Sequence, residues 1–313
     1  PTVMPNTSLS WETTTQYDGG LDLSLIDNRI FFVADVYYKL TQDLLYNVRI
    51  PRETGFSYIT QNLGALENKG LELSLTTNNL VGAFKWSTSF NISFNRNKIL
   101  DLPEELMTNG YIQDGNYHIL KVGEPIGIFY GYKFLGVYAT DEDNVNHVTN
   151  GALGDVFEGG DPIWDDLNGD NIIDENDKQI IGNAQPDFFG GITNTFSYKN
   201  ISLDIFFQYS YGNEIYSELK YQMNSVVRYD NASIDALNRW REPGDITDYP
   251  KPVREDPKES DSRVQSRWVE DGSYIKLKSM NIRYQLPSAF ARKLSFDKIE
   301  VYLKTVKLRS LLT

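Results

Sequence analysis

Oxygen-bearing side chains recur at a regular spacing in one short stretch of this 313-residue chain. Asp166, Asn168, Asp170, Asp174 and Asp177 hold positions 1, 3, 5, 9 and 12 of a single loop, and Ile172 offers its carbonyl at position 7. That is the ligand order of an EF-hand-type calcium loop, because hard Ca²⁺ takes six to eight oxygens. Ile173 supplies the apolar anchor at position 8. Asn171 stands where glycine is usual, and asparagine tolerates the left-handed backbone. Asp177 replaces the usual glutamate at position 12. The spacing predicts bound Ca²⁺ in a structural role, with Asp166, Asn168, Asp170, Ile172, Asp174 and Asp177 as ligands. The plainer reading is an acidic solvated turn.

Other chemistry is sparse. Cysteine is absent, which removes disulfides, thiol nucleophiles and thiolate zinc sites. The two histidines, His118 and His147, lie far apart and lack neighbours at ligand spacing, so both read as surface residues. No nucleophile elbow, phosphate loop or dinucleotide fingerprint occurs, and no enzyme is expected. A net charge of −13 argues against nucleic acid, whose phosphates need a basic face. Aromatic side chains reach 13%. Trp164, Trp240, Tyr130 and Tyr132 fall in expected loops, where rings either stack on flat ligands such as sugars or simply pack the loop.

The elements that must carry these loops are strands. Phe84, Trp86, Thr88, Phe90, Ile92 and Phe94 alternate with Lys85, Ser87, Ser89, Asn91, Ser93 and Asn95. Leu71, Leu73 and Leu75 alternate in the same way with Glu72, Ser74 and Thr76, and a third such face runs from Ile201 to Tyr211. Strands of about ten residues suit a tilted bilayer crossing. Alternation also suits a soluble sheet buried on one face. The connections favour the membrane. Short turns follow 17–25, 66–77 and 187–198, whereas long segments near 40–65, 97–186 and 212–272 follow the strands between. Short turns at one end and long loops at the other mark an outer-membrane barrel. Eight strands are expected: 17–25, 29–39, 66–77, 84–96, 187–198, 201–211, 273–285 and 298–305. The period slips near Lys278-Ser279, which predicts a bulge. Ile126–Tyr138 must fold within its loop, and a helix is expected only at Tyr229–Trp240. Mean hydropathy is −0.43, and no helical span is expected.

Several motifs add a resemblance. Trp11-Glu12-Thr13-Thr14, the segment Asn62–Glu72 (NLGALENKGLE), Phe90–Lys98 (FNISFNRNK) and Gly127–Tyr132 (GIFYGY) resemble, in order, segments of SusC/RagA-type TonB-dependent transporters. So do the acidic loop with Ile180–Pro186 (IIGNAQP) and Val269–Leu277 (VEDGSYIKL). The resemblance runs to about Lys304. It implies the C-terminal part of an all-β, antiparallel transmembrane barrel. Signal peptide, plug, TonB box and earlier strands would then lie outside this sequence. It implies residence in the outer membrane of a Gram-negative bacterium and import of glycans, oligosaccharides or peptides, energised through TonB beside a SusD-type surface lipoprotein. Residues 1–305 would form the barrel part, carrying loop 97–186 with the calcium-like site 166–177 and loop 212–272. Residues 306–313 would form a divergent or truncated tail. The alternative is a soluble or surface calcium-binding, glycan-binding β-protein, which would pack two sheets face to face about 10 Å apart.

Overall fold

The computed structural model describes residues 3–62, 64–225 and 231–306. Eight long strands form one antiparallel sheet in which every neighbour in space is also a neighbour in sequence order. They are β1 (Thr13–Leu25), β2 (Ile30–Gln42), β3 (Ala65–Val81), β4 (Phe84–Asp101), β5 (Phe188–Tyr198), β6 (Ile201–Tyr211), β7 (Tyr274–Gln285) and β8 (Glu300–Val306). β1 and β8 are the two edges and do not pair, so the sheet is an open barrel segment. Among the described residues no second sheet covers its apolar face, where Leu23, Leu75, Ile282 and Leu303 are exposed. The sandwich alternative therefore does not hold.

Register explains the alternation. Ala34, Leu73, Ile92, Gly190 and Tyr209 lie in one row across five strands; Phe32, Leu75, Phe90, Ile192 and Phe207 form the next. These rows share one face, and nothing in the structure covers it: Leu21 is 53% exposed and Leu303 68%. A soluble protein rarely leaves so broad an apolar surface bare. The opposite face carries Asp35, Glu72, Ser93, Asp204 and Arg283. On it Thr195 Oγ1 donates to Asp204 Oδ1 at 2.9 Å, and Arg283 Nη2 donates to Asp204 Oδ2 at 2.7 Å.

Aromatic rings gather at both ends of the apolar face. Phe84 and Trp86 stack on Phe196 near the short turns. Phe188 stacks on Tyr211 and meets Phe94 near the long loops. Trp86 and Phe94 share a strand, and their separation of about 26 Å along it projects, at a barrel strand's tilt, to about 20 Å of the roughly 25 Å apolar band of a membrane barrel.

The turns use the residues they need. Ile26, Asp27 and Asn28 all have φ near +50° to +63°, and Arg29 reaches across to the carbonyls of Asn78 and Asn79 in the next hairpin. Gly190 and Gly191 let two rings lie flat on the strand. A Cβ at Gly190 would meet Asn91 O at 2.1 Å and Tyr209 at 2.6 Å; one at Gly191 would meet Phe206 at 2.6 Å. The expected bulge is present. Phe206 faces Ser279 and Phe207 faces Leu277, so Lys278 is skipped. The skip keeps Ile275, Leu277, Met280, Ile282 and Tyr284 on one face.

Three features differ from expectation. The connection 286–299 between β7 and β8 holds a helix where none is expected, α2 (Ser288–Lys293), begun at Pro287, whose fixed φ suits a helix start. The helix expected at Tyr229–Trp240 is a short 3₁₀ helix, Ile234–Asn238, and residues 229–230 of that range lie outside the described residues. A capped helix α1 (Glu218–Asn224) precedes it instead; Ser217 Oγ accepts from Lys220 N. The connection between β2 and β3 is itself a hairpin, Leu45–Arg49 with Tyr58–Asn62. Of the tail, residues 307–313 lie outside the described residues. No helix among the described residues is long and apolar enough to cross a membrane.

Candidate functional site

The two longest connections, 102–187 and 212–273, fold together at the strand ends opposite the short turns. The first builds a four-stranded sheet from Ile112–Asp114, His118–Leu120, Ile128–Tyr132 and Lys178–Asn183. Ile126–Tyr138 thus stays inside the loop, as its parity required. Tyr132, Tyr138, Phe157, Trp164 and Ile173 form one small core; Tyr111, Ile119 and Ile128 form another. Loops of this length need such cores, because a buried irregular segment must still satisfy its backbone.

The second connection is bound onto the first. Tyr132 N donates to Val264 O at 2.8 Å. Gly131 permits the approach, since a Cβ there would sit 2.2 Å from Val264 O. The Arg263 guanidinium lies 4.3 Å from the Tyr132 ring centre and 5.6 Å from that of Trp164, while Nε donates to Glu259 at 3.2 Å. Asp161 is 1% exposed and held by Lys258 at 2.7 Å and Lys251 at 3.2 Å. Trp240 Nε1 donates to Ala139 O at 3.0 Å. Burial pushes the Tyr132 hydroxyl far above its usual range, although the Arg263 charge opposes it. Tyr132 and Trp240 stand out in the sequence only as loop aromatics; Asp161, Lys251, Lys258 and Arg263 give no signal, because they lie singly within charged, irregular stretches.

The acidic loop adopts the turn its spacing implies. Gly169 and Asn171 have φ of +73° and +63°, so Asn171 performs the glycine-like bend. Asp166 Oδ1 accepts from Gly169 N and Oδ2 from Asn171 N, both at 2.8 Å. Asp170 Oδ1 accepts from Ile172 N, Asn168 Oδ1 from Asp170 N, and Asp174 Oδ1 from Asn176 N. Asp177 is fully buried and accepts from Leu167 N at 2.9 Å and Asp174 N at 2.8 Å. Burial pushes its carboxyl up; those two N–H groups oppose the shift, and the nearby Asp166 and Asp174 carboxylates add to it. Among the described residues, no three His, Cys, Asp or Glu side chains form a group able to hold a metal ion. Ile172 is exposed and Ile173 fully buried, as an anchor at position 8 should be.

The four candidate aromatic residues are packed among protein neighbours. Trp164 and Tyr132 belong to the first core. Tyr130 lies 4.9 Å from Tyr111 between ring centres. Trp240 is covered by Gly160 and Lys251. His118 is half-buried against Phe129, with ring centres 4.8 Å apart; His147 is exposed.

An open antiparallel sheet with a bare apolar face, aromatic belts at both margins and loops massed at one end is a segment of an outer-membrane-type β-barrel. The β-barrel of the TonB dependent receptor-like family matches residues 2–133. The TonB-dependent receptor P3 of Formosa agariphila is 39% identical over 305 residues, covering 95% of this chain and 29% of that protein. The TonB-dependent receptor SusC of Bacteroides thetaiotaomicron is 32% identical, over 74% of this chain and 23% of its own length. The RagAB peptide transporter structure superposes with a TM-score of 0.81 at 25% identity, covering 98% of this chain and 32% of that one. This chain belongs to the TonB-dependent receptors and is of the SusC/RagA type. It spans less than a third of those two curated relatives. TonB-dependent receptors are outer-membrane transporters of Gram-negative bacteria, not enzymes.

Proposed function

We propose that this chain is the C-terminal part of the barrel of an outer-membrane transporter importing glycans, oligosaccharides or peptides. Energy comes through TonB, and a SusD-type surface lipoprotein sits over the loop end. The observation that carries this is the continuous apolar face of the eight-stranded sheet, belted by aromatics and capped at one end by a folded loop body. The kinship with SusC and the likeness to the RagAB peptide transporter support the same reading. The test is uptake by cells carrying the complete gene against cells lacking it, using fluorescent oligosaccharides and peptides. Loss of uptake of one class on deletion is expected. Unchanged uptake of both, or recovery of the protein in the soluble fraction, would overturn the proposal.

Within it, we assign the 166–177 loop to a structural Ca²⁺. The loop offers five oxygen side chains at ligand spacing and Asn171 in the left-handed bend, and the Asp166 and Asp174 carboxylates lie near enough to Asp177 to add to the upward push of its burial. Bound Ca²⁺ would supply positive charge to hold the loop. Its side chains would turn from their own backbone N–H groups to meet it. Calorimetric Ca²⁺ titration should give heat that an Asp170→Ala, Asp174→Ala double variant lacks. Equal heats in both proteins would remove the metal from the assignment.

A further inference from the structure

The apolar face of the sheet changes character at the end that carries the long loops. Gly19, Val36, Leu71 and Phe94 make one outward-facing row across β1 to β4. Two residues nearer the loops, the row reads Tyr17, Tyr38, Lys69 and Arg96. Lys98 follows one step beyond on β4, opposite Glu67. At the other margin of the same strands, Leu25, Ile30, Thr77 and Phe84 face outward, and none is a cation. The outward-facing cations of these strands are therefore gathered at one margin.

Their arrangement favours an anion. Lys69 and Arg96 stand directly opposite on neighbouring strands, where like charges repel. Each holds one carboxylate: Lys69 Nζ lies 2.9 Å from Glu67 Oε1, and Arg96 Nη2 lies 3.0 Å from Asp187 Oδ1. Their side chains stay 59% and 53% exposed, so both charges remain accessible. Lys98 is exposed and makes no ion pair among the described residues. Three cations against two carboxylates leave a local positive excess in a chain whose net charge is −13. The three backbone positions lie roughly 5 Å apart across the strands and 7 Å along them, within the reach of long side chains to one phosphate.

Position selects the ligand. Lysine and arginine stems rest on apolar surface while their charges reach the headgroup level. A soluble anion would use the charges alone. A lipid uses both parts of the surface: its phosphate oxygens accept from the cations, and its acyl chains lie on Val36, Leu71 and Phe94 below. We propose that Lys69, Arg96 and Lys98 form a site on the outside of the barrel wall for the phosphorylated headgroup of an outer-leaflet lipid. The site rests on the outer-membrane reading and is independent of which solute is imported.

The test is native mass spectrometry of the complete receptor, stripped of lipid in an uncharged detergent. The probes are diphosphoryl lipid A, dephosphorylated lipid A and inorganic phosphate. At a concentration of diphosphoryl lipid A that just fills the wild type, the Lys69→Gln, Lys98→Gln double variant should carry one lipid fewer, its binding weakened about tenfold. Lys98→Arg should bind as the wild type does, and so should Lys199→Gln at the opposite margin. Dephosphorylated lipid A should bind wild type and double variant alike. Heat-dependent gel mobility checks that each variant is folded. Equal binding of diphosphoryl lipid A to wild type and double variant would overturn the site, as would a difference that persists with the dephosphorylated lipid. Inorganic phosphate that binds alone, and is lost in the same proportion by the double variant, would overturn the lipid as the ligand. A receptor that imports but fails this test loses only the lipid site; one that binds the lipid but imports nothing loses only the import proposal.

Discussion

Asp161 shows how much a single buried carboxylate can hold. It is almost wholly enclosed, and two lysines from the other connection close on it. Asp161→Ala would leave Lys251 and Lys258 facing each other with only the longer pairs to Glu158, at 3.9 and 3.6 Å, in place of the buried anion. Both lysines retain some solvent, so the expected loss is roughly 2–4 kcal/mol of loop-body stability. Limited proteolysis should then cut residues 240–262 far faster, while the sheet stays protected. Arg263→Lys is predicted to act similarly but more weakly, by about 1–2 kcal/mol, because a lysine cannot stack flat on Tyr132 and Trp164. A double-mutant cycle with Tyr132→Leu should show coupling; strict additivity would place the effect elsewhere. At this scale the sequence was legible only where residues cluster. The oxygen spacing of 166–177 was visible, and the loop took the left-handed bend at Asn171. Asp161 and Arg263 are brought to Lys258 and Trp164 by the tertiary fold, and no local spacing announces a partner about 100 residues away.

Among the elements, β7 is set by one irregularity. Lys278 is the extra residue that lies between Leu277 and Met280 while both keep to the apolar face. Deleting Lys278 alone would restore plain alternation and leave every side chain on its present face, whereas deleting Lys278 and Ser279 together would turn Met280, Ile282 and Tyr284 inward and place Asn281 and Arg283 on the apolar side. A charged arginine on a lipid face costs about 2–4 kcal/mol near the midplane and less near the margins. The double deletion is therefore expected to lose the heat-dependent gel mobility of a folded barrel and the single deletion to keep it; retention of that shift in both would mean the strand slips its register elsewhere. Strands were legible because a half-buried or lipid-facing strand writes itself as period two. The bulge was legible as a slip in that period. Helices α1 and α2 were not, since six or seven residues hold too few turns to show an apolar stripe, and their only sequence marks are Ser217 and Pro287.

At the scale of the whole molecule, a sheet grown strand by strand carries a loop body made from two of its connections. The body and the sheet have different sources of stability: small aromatic cores and buried ion pairs in one, backbone ladders in the other. Hydrogen exchange should accordingly resolve two protected units. Amides of Tyr132, Tyr138 and Asp177 are expected to open together, separately from those of β3 to β6. A single shared opening energy would show instead that the loops are braced by the strands alone.

The junction of β4 and β5 sets the order in which this molecule can assemble. β4 and β5 pair across the longest connection in the sheet, residues 102–187. Bringing the ends of so long a flexible chain together costs about 3 kcal/mol more than closing a two-residue turn. The loop body removes much of that cost by drawing its own ends together. Ile99 N donates to Glu124 O at 2.9 Å at the end of β4, and Ala184 N donates to Gly127 O at 3.0 Å just before β5. The folded loop is thus a splice between two hairpin pairs. The β4–β5 ladder waits on it, and a variant that slows folding of 102–187 delays the joining of the sheet's two halves, even where every strand residue is unchanged.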